Sequence, residues 1–328
     1  MNDLEKNTDQ TLSAMVRRGE IEFGQMRTVN ARMADCLEKA RIAAATAATV
    51  LICGENGTGK NLVAQAIHNA SPFREGNCVI VNCGAIPENL IESELFGHVK
   101  GAFTGADRDR KGKFELANSG TLILDEIADM PISVQGKILR AVEYKQFESV
   151  GDEKSKESDA RLIAITNQPL SDLVEKGRFR KDLFFRLNEI SLMLPPLRER
   201  RDDMGLLMDY FLSEIKNRTK EKIPGFTADA FEFLKCYPWP GNIRELRAVV
   251  RSTSLMSKGK PVTREMIIDY LGSYSDALQP RPVERFPRSL EEVEREYVKR
   301  VLDWAGGNKK LAAEKLGISR PTLNSKLK

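Results

Sequence analysis

The clearest chemical signal in the sequence is a glycine-rich loop that ends in a lysine. Its members are Gly54, Glu55, Asn56, Gly57, Thr58, Gly59 and Lys60. Three glycines let the backbone curl so that successive N–H groups point to one centre. The lysine ammonium can then reach the outer phosphates of a nucleotide. The spacing therefore predicts a phosphate-binding loop.

The residue that follows this lysine departs from the usual pattern. Asn61 stands where a Ser or Thr hydroxyl normally touches the magnesium ion that accompanies the phosphates. An Asn oxygen or a water molecule would have to serve as the ligand instead. We therefore count Asn61 among the candidate residues of the nucleotide site.

Polar residues follow two of the apolar runs that come after this loop. Asp125 and Glu126 end one run, and Thr166 and Asn167 end the next. Ligands of open α/β sheets bind at the carboxyl ends of the strands. Asp125 is the candidate to hold Mg²⁺ or its waters, and Glu126 to orient the water that attacks the γ-phosphate. Thr166 and Asn167 can reach the same phosphate or water.

An arginine-rich stretch from Gly177 to Leu187 is the next candidate. Phosphoryl transfer benefits from an arginine that meets the charge developing on the phosphate. Arg180 and Arg186 are the candidates for that role. The alternative is that both arginines are solvated or paired with nearby carboxylates.

A second glycine loop carries one aromatic residue among small ones. It comprises Gly101, Ala102, Phe103, Thr104, Gly105 and Ala106. A buried Phe would be the ordinary outcome, whereas an exposed Phe on a glycine-hinged loop indicates a surface that grips a partner. The residues alone leave both interpretations open.

The strands that must position these residues are predicted from apolar runs in the sequence. Thr49–Cys53, Val79–Val81, Thr121–Leu124 and Leu162–Ile165 are continuous, as is typical of strands buried on both faces of a parallel sheet. Helical stretches separate them, which predicts a doubly wound α/β core. We expect Cys78, beside the second run, to be a small buried residue of this core.

The character of the chain changes after Leu197. The stretches Asp202–Arg218, Ala228–Cys236 and Ile243–Ser257 read as helices and predict a smaller all-helical unit. A proline-containing stretch with little periodicity follows and reads as a linker. The predicted organisation is a tail (1–22), an α/β subdomain (23–196), a helical lid (197–271), a linker (272–288) and a final helical domain (289–328).

Composition sets broad limits on the class of protein. The 328 residues are 41% apolar and 30% charged, as expected of a globular protein, with a net charge of only +4. The five cysteines include no CxxC pair, which fits a reducing cytoplasm. The first residues are charged and lack the apolar core of a secretory signal. The longest apolar-leaning stretch is too short to span a bilayer, so we expect no membrane partner.

The motifs together resemble the AAA+ domain of bacterial sigma-54-dependent transcription activators. The resemblance covers residues 23–271 and rests on GENGTGK, ESELFGHVKGAFTGA, GTLILDEI, FRKDLFFRLNEI, LPPLRER and WPGNIREL, in the family's order. GAFTGA is the most specific, because other AAA+ proteins lack it. The resemblance implies ATP as the nucleotide, and Glu is usual where this chain has Asn61.

The resemblance also implies roles for the sheet and lid residues. Asp125 and Glu126 would be the Walker B pair, and Asn167 the first sensor. Asn82 matches an asparagine that pairs with the Walker B glutamate and switches with nucleotide state. Arg244 would be the second sensor, on the lid.

Two further roles concern partners of the chain. Phe103 and Thr104 would lie on the loop that engages sigma-54 in the RNA polymerase holoenzyme. Arg180 and Arg186 would reach into the ATP site of a neighbouring subunit. The working form should then be a homo-oligomer, up to a hexameric ring.

The last 40 residues resemble the Fis-type helix-turn-helix of the same family. From Gly306 onward the net charge is +5, which suits contacts with DNA phosphates. An apolar stripe within Ser289–Ala305 would pair with a partner copy or pack on its own domain. The candidate DNA-binding residues are Lys309, Lys310, Ser319, Arg320, Thr322, Asn324 and Lys326.

These features predict a sigma-54-dependent activator that binds enhancer DNA and uses ATP hydrolysis to remodel the closed promoter complex. One alternative is a DNA-binding regulator or repressor that only senses nucleotide and does not engage sigma-54. A second is a AAA+ remodeller of DNA or of protein that is unrelated to transcription initiation. About 22 residues are too few for a receiver domain, so we expect control by a trans-acting regulatory protein or by expression, unless the sequence is a trimmed piece.

Overall fold

The computed structural model describes residues 21–219, 225–274, 294–295, 297–299, 301–302 and 305–327. They belong to two units, which divide between Ser273 and Tyr274. Residues 1–20 of the predicted tail, residues 275–288 of the predicted linker, and Leu290 and Val293 of the predicted apolar stripe lie outside the described residues. The predicted domain boundaries stay predictions.

The strands of the first unit form one large sheet and three small antiparallel pairs. The strands are β1 (Ile21–Phe23), β2 (Met26–Thr28), β3 (Val50–Cys53), β4 (Cys78–Asn82), β5 (Gly97–His98), β6 (Arg110–Lys111), β7 (Thr121–Asp125), β8 (Gln146–Glu148), β9 (Ser155–Glu157), β10 (Arg161–Thr166) and β11 (Ile190–Met193). The large sheet has the order β11-β3-β10-β7-β4, and every neighbouring pair in it is parallel. The predicted α/β fold with a parallel sheet is confirmed.

The helices lie on both faces of this sheet and then form the lid and the second unit. They include α1 (Ala31–Ala44), α2 (Lys60–Asn69), α3 (Glu88–Phe96), α4 (Lys113–Leu116), α5 (Ile132–Glu143), α6 (Leu170–Glu175), α7 (Lys181–Leu187), α8 (Met204–Thr219), α9 (Ala228–Cys236), α10 (Asn242–Met256), α11 (Arg264–Tyr274), α12 (Lys309–Leu316) and α13 (Arg320–Lys326). Within the described ranges, none of the helices is long and apolar enough to cross a bilayer.

Alternate side chains of the central strands enter two different cores. Leu122 and Leu124 of β7 pack with α3 and α5 residues on one face, whereas Ile123 packs with α1 and α2 residues on the other. This alternation explains why the strand reads as a continuous apolar run.

The sequence prediction is wrong at one edge of the sheet. β4 is an edge strand, so its side chains are not buried on both faces: Ile80 is 43% exposed and Cys78 is exposed. The opposite edge strand, β11, was not predicted. Only Leu192 of its four residues is buried, and an apolar run of that kind is too short to stand out.

The lid is an all-helical bundle with its own core. Trp239 is fully buried in it, and its indole Nε1 donates a hydrogen bond to the carbonyl oxygen of Leu234 at 2.8 Å. The lid begins with two short 3₁₀ turns, Leu197–Glu199 and Arg201–Asp203, directly after the sheet. These turns bring the lid back over the carboxyl edge.

The second unit contains the predicted helix-turn-helix elements. Asn308 caps α12, Gly317 ends it with a φ of 64°, and the Ser319 side chain accepts a hydrogen bond from the backbone N–H of Thr322 as the cap of α13. Leu323 is fully buried against residues of α12. The local capping rules therefore place this turn correctly.

Candidate functional site

The phosphate loop joins the end of β3 to the start of α2, as predicted. Its glycines all have positive φ values, 150° at Gly54, 78° at Gly57 and 102° at Gly59. Gly59 directly precedes the first helical residue, so the loop feeds its N–H groups into the N-terminus of α2. This geometry suits an anion such as a nucleotide phosphate.

Lys60 holds its ammonium group inside the loop. Its Nζ donates hydrogen bonds to the carbonyl oxygens of Gly54 at 2.8 Å and Glu55 at 2.9 Å. Burial lowers the pKa of Lys60; Asp125 opposes this shift, and Arg244 adds to it. Charges from the loop, the sheet and the lid therefore act on one centre.

Asp125 stands at the carboxyl tip of β7, next to this centre. Its Oδ2 accepts a hydrogen bond from Nδ2 of Asn61 at 2.9 Å, and its Oδ1 accepts one from the backbone N–H of Glu126 at 3.0 Å. Asn61 thus orients the carboxylate. Among the described residues there is no cluster of three or more His, Cys, Asp or Glu that could hold a metal by itself.

Glu126 adopts an uncommon backbone conformation, with φ 56° and ψ 45°. For a residue other than glycine this conformation costs about 1–2 kcal/mol, and such strain is often found at functional sites. A Cβ built on Gly84 would lie 2.7 Å from Oε2 of Glu126, so the missing side chain of Gly84 makes room for the carboxylate.

Asn82 lies beside Asp125 in the register of β4 and β7. Its Oδ1 accepts a hydrogen bond from the backbone N–H of Ala85 at 2.9 Å and caps the following 3₁₀ turn. In this structure Asn82 and Glu126, both described, share no hydrogen bond. The implied pairing stays a prediction.

The two polar residues at the end of β10 differ in exposure. Thr166 is fully buried, and its hydroxyl bonds with the backbone of Gln168, so it does not face a nucleotide as predicted. Asn167 is exposed at the carboxyl edge of the sheet. Its predicted role as the first sensor stays a prediction.

Lid residues reach the phosphate loop directly. A Cβ built on Gly57 would lie 3.1 Å from Cβ of Arg244, so the predicted second sensor stands over the loop. Arg198 donates two hydrogen bonds to the carboxylate of Glu55, at 2.8 and 2.6 Å. Arg200, which is 4% exposed, donates to the carbonyl oxygen of Thr58 at 2.7 Å.

Sequence reasoning missed Arg198, Arg200 and Asn242 as site residues. The signal was present, because all three lie in the quoted motifs LPPLRER and WPGNIREL. Their side chains bind the outer side of the loop instead of its centre, so no rule about phosphate ligands selects them.

A cleft of about 430 Å³ opens beside the loop, between the sheet and the start of the lid. Its lining is Arg32, Gly54, Glu55, Met193, Leu194, Pro195, Pro196, Arg198 and Glu199. A concave site with one apolar wall, Met193–Pro196, and charged side chains at its rim suits the base and sugar of a nucleotide.

The structure does not bring Arg180 and Arg186 to the charges around Lys60. Both flank or lie on α7, where Arg180 forms a two-point ion pair with Asp182 (3.1 and 2.8 Å) and Arg186 contacts Glu189 at 2.5 Å. In the single chain both arginines are therefore paired with nearby carboxylates, which is one of the two possibilities that the sequence left open. Beside them, Phe185 is 62% exposed.

The loop Gly101–Ala106 is the tip of a hairpin formed by β5 and β6. Gly101 and Gly105 have φ values of 83° and 99°. Phe103 is 39% exposed, and its ring meets that of His98 edge-on at 5.0 Å. Of the two interpretations open from the sequence, the exposed aromatic is the one observed.

The candidate DNA-binding residues lie on α12, α13 and the turn between them. Those on or before α13 include Ser319, Arg320, Thr322 and Asn324, all exposed. Lys309 Nζ donates a hydrogen bond to Oδ1 of Asn324 at 3.0 Å. This pair leaves one basic side chain and one amide together on the same face of the unit.

Three family models match consecutive parts of the chain. The sigma-54 interaction domain matches residues 26–193, the AAA+ ATPase lid domain residues 198–281, and the Fis-family bacterial regulatory protein model residues 289–328. Together they agree with the three motif groups in the sequence.

Two transcriptional regulators are similar to most of this chain. The transcriptional regulatory protein ZraR of Klebsiella oxytoca is 44% identical over 299 residues, which cover 89% of this chain and 66% of that protein. The regulatory protein AtoC of Escherichia coli K12 is 42% identical over 312 residues, which cover 93% of this chain and 68% of that protein. The chain thus spans about two thirds of the length of these relatives.

The fold is similar to that of NtrX from Brucella abortus. Its crystal structure in complex with ATP is 32% identical in sequence with a TM-score of 0.69, and covers 98% of this chain and 72% of that one. Its complex with ADP gives a TM-score of 0.70 at 30% identity. With the phosphate loop, the Walker B pair and the GAFTGA hairpin in place, the chain belongs to the bacterial sigma-54-dependent transcriptional activators, a family of AAA+ ATPases with a Fis-type DNA-binding domain.

Proposed function

We propose that this protein forms a ring that hydrolyses ATP between its subunits and moves the Gly101–Ala106 hairpin against the sigma-54 RNA polymerase holoenzyme. The observation that carries the proposal is the combination of a phosphate loop with Lys60, Asp125 and Arg244 around it and an exposed, glycine-hinged aromatic on the same chain. A nucleotide sensor alone would not need that exposed Phe103.

The phosphates of ATP would lie on the loop Gly54–Lys60, with Lys60 and Arg244 compensating their charge. Glu126 would polarise the attacking water, and Asn167 would fix the position of the water or of the γ-phosphate. Lys60, Glu126 and Asn167 follow the carboxyl ends of the neighbouring strands β3, β7 and β10, and Arg244 approaches the loop from the lid. The arrangement fits hydrolysis of the terminal phosphate.

The residues present fit a magnesium ion next to the phosphates. Asp125 supplies carboxylate oxygens and Asn61 an amide oxygen, which are the ligand types that Mg²⁺ prefers. The ion would compensate phosphate charge during transfer. Asn61 keeps the carboxylate of Asp125 turned toward that place through its Nδ2. We expect Asn61→Ala to raise the Mg²⁺ concentration needed for half-maximal nucleotide binding several-fold.

The two arginines near α7 support a ring. Neither arginine is among the charges that act on Lys60 of its own chain. Each is paired with a surface carboxylate, whose place the phosphates bound to a neighbouring subunit could take. An arginine supplied by an adjacent subunit would complete the site. The ATPase rate per subunit should therefore fall on dilution.

The second unit supports binding to enhancer DNA. Arg320, Thr322 and Asn324 would face the major groove, while Lys309, Lys310, Ser319 and Lys326 would meet the backbone phosphates. Binding of this kind should weaken steeply with salt. We expect the protein to act in the cytoplasm, where the polymerase and the chromosome are.

The deciding experiment is promoter opening by the purified protein with sigma-54 holoenzyme, ATP and Mg²⁺. Wild type is compared with Thr104→Ala, and the ATPase rate of both is measured in parallel. We expect wild type to open the promoter, and Thr104→Ala to hydrolyse ATP within about twofold of wild type yet open nothing, as for an interface hot spot.

Failure has two distinct forms. If wild type hydrolyses ATP but never opens a sigma-54 promoter, the sensing regulator or repressor replaces the activator. If Thr104→Ala opens promoters as well as wild type, the hairpin does not couple hydrolysis to remodelling.

A further inference from the structure

Asn242 occupies an unusual position at the start of the lid helix α10. It is fully buried, and its φ is 52°. Non-glycine residues rarely adopt this conformation, although Asn tolerates it better than most. A buried amide in a strained backbone needs a reason beyond helix capping.

The side chain of Asn242 joins three separate segments. Its Oδ1 accepts a hydrogen bond from the backbone N–H of Leu197 at 2.8 Å. Its Nδ2 donates to Oε2 of Glu55 at 3.1 Å and to the carbonyl oxygen of Asn56 at 3.0 Å. One amide therefore links the phosphate loop, the first turn after the sheet and the lid helix.

The backbone beside Asn242 continues the same contact. The N–H of Ile243 donates to the carbonyl oxygen of Gly57 at 2.9 Å. A Cβ built on Gly57 would lie only 2.3 Å from the carbonyl oxygen of Gly241, so the loop and the lid approach as closely as two backbones can.

These bonds account for three successive carbonyl groups of the loop. Asn242 binds that of Asn56, Ile243 that of Gly57, and Arg200 that of Thr58. A loop that cradles an anion must turn its N–H groups inward and its carbonyl groups outward. The outward carbonyls need donors, and all three donors lie beyond the sheet, in the lid or in the segment that leads to it.

We propose that Asn242 is a positioning residue for nucleotide binding, which holds the backbone of Asn56 and Gly57 in the receptive curl and ties the lid to it. The inference rests on nucleotide binding by the loop and does not depend on sigma-54. Its effect should appear in the affinity for nucleotide and not in the rate of the chemical step.

Two substitutions separate the amide from the backbone strain. Asn242→Gly accommodates a φ of 52° and removes the amide. Asn242→Asp keeps the shape and the acceptor for Leu197, but places a carboxylate oxygen against Glu55 and the carbonyl of Asn56. Lys258→Gly is the matched control, because Lys258 is an exposed lid residue with a φ of 50°.

The measurements are the Kd for ADP by titration, kcat and KM for ATP, and the melting temperature without nucleotide. We expect Asn242→Gly and Asn242→Asp to raise the Kd and KM about tenfold, the value of one to two lost hydrogen bonds, with kcat at saturating ATP within about twofold of wild type. Lys258→Gly should bind ADP as wild type does.

A merely structural role would lower the melting temperature without changing the Kd of the folded protein. The proposal is overturned if Asn242→Gly binds ADP within twofold of wild type, whatever its melting temperature. It is also overturned if kcat falls while the Kd stays unchanged. If Asn242→Asp does not fold, Asn242→Gly still decides, because glycine removes the strain that Asn242 carries. Promoter opening is not measured here, so failure of the sigma-54 proposal remains distinguishable.

Discussion

The phosphate loop and the Gly101–Ala106 hairpin use glycine for opposite purposes. Gly57 and Gly101 have nearly the same φ, 78° and 83°. A side chain on Gly57 would collide with the lid backbone at 2.3 Å, whereas one on Gly101 would meet nothing within 4 Å. Glycine permits close approach in the first loop and leaves the second unhindered.

The hydrogen bonds of the two loops differ in the same way. Lid-side residues bind the phosphate loop from outside, through Arg198, Arg200 and Asn242. The hairpin tip bonds mainly to itself, for example from the N–H of Gly101 to the carbonyl of Ala106 at 2.9 Å. A site that holds phosphates must be rigid. A segment that transmits motion to a partner should instead make few contacts with the rest of the chain, because each such contact must break when the segment moves.

The largest expected effect is at the nucleotide site. Glu126→Gln keeps the shape of the side chain and removes the carboxylate that polarises the water. We expect kcat for ATP to fall about 100-fold or more, with the Kd for ADP within about twofold of wild type. Glu143→Gln, on an exposed helix end, is the control. A kcat within threefold of wild type would mean that Glu126 is not the catalytic carboxylate.

The second effect concerns the Gly101–Ala106 hairpin. Phe103→Ala removes an exposed ring that meets the ring of His98 edge-on. We expect promoter opening to fall about thirtyfold, as for an interface hot spot, at an unchanged ATPase rate. Ile42→Ala removes an apolar side chain elsewhere that is 60% exposed, against 39% for Phe103, and should leave both activities unchanged. A parallel loss of ATPase rate would show that the tip is part of the nucleotide site.

The third prediction compares the two glycines directly. Alanine at either position carries the strain of a positive φ, but only Gly57→Ala also displaces the lid. We expect Gly57→Ala to melt at least about 5 °C lower than Gly101→Ala, because strain of about 1–2 kcal/mol is common to both and the overlap is not. Thermal unfolding by circular dichroism decides it. Equal melting temperatures would contradict the contrast between the loops.

The smallest effect is a pH dependence at the edge of the phosphate loop. The hydrogen bonds from Arg198 and Asn242 lower the pKa of Glu55 to about 2. A carboxylate with a lowered pKa stabilises the fold above its unfolded value and loses that contribution as the pH falls toward 2. Wild type and Glu55→Gln should therefore differ more in free energy of unfolding at pH 6 than at pH 3. In an Arg198→Met background this pH dependence should shrink.

Much of the site could be predicted from the sequence because it depends on local rules. The glycine spacing of Gly54–Lys60, the acidic pair after an apolar strand and the caps at Asn308 and Ser319 each follow from a few neighbouring residues. Their positions in the structure agree with those rules. The prediction for Cys78 failed where distant elements decide, because β4 is the edge strand of the sheet that the structure describes. Thr166 differs from its prediction for a local reason, since its hydroxyl bonds with the backbone of Gln168, two residues further on.

The family followed from the resemblance that the sequence motifs carry. The order of the sheet, lid and DNA-binding elements and the residue types of the nucleotide site could be read from the sequence because strand periodicity, glycine spacing and helix caps are short-range properties. Only the tertiary structure decided that Asn242, Arg198 and Arg200 bind the outer carbonyl and carboxylate groups of a loop more than 140 residues earlier in the chain. Such contacts depend on how the lid packs on the sheet, and no local pattern encodes which backbone groups that packing leaves in need of a donor.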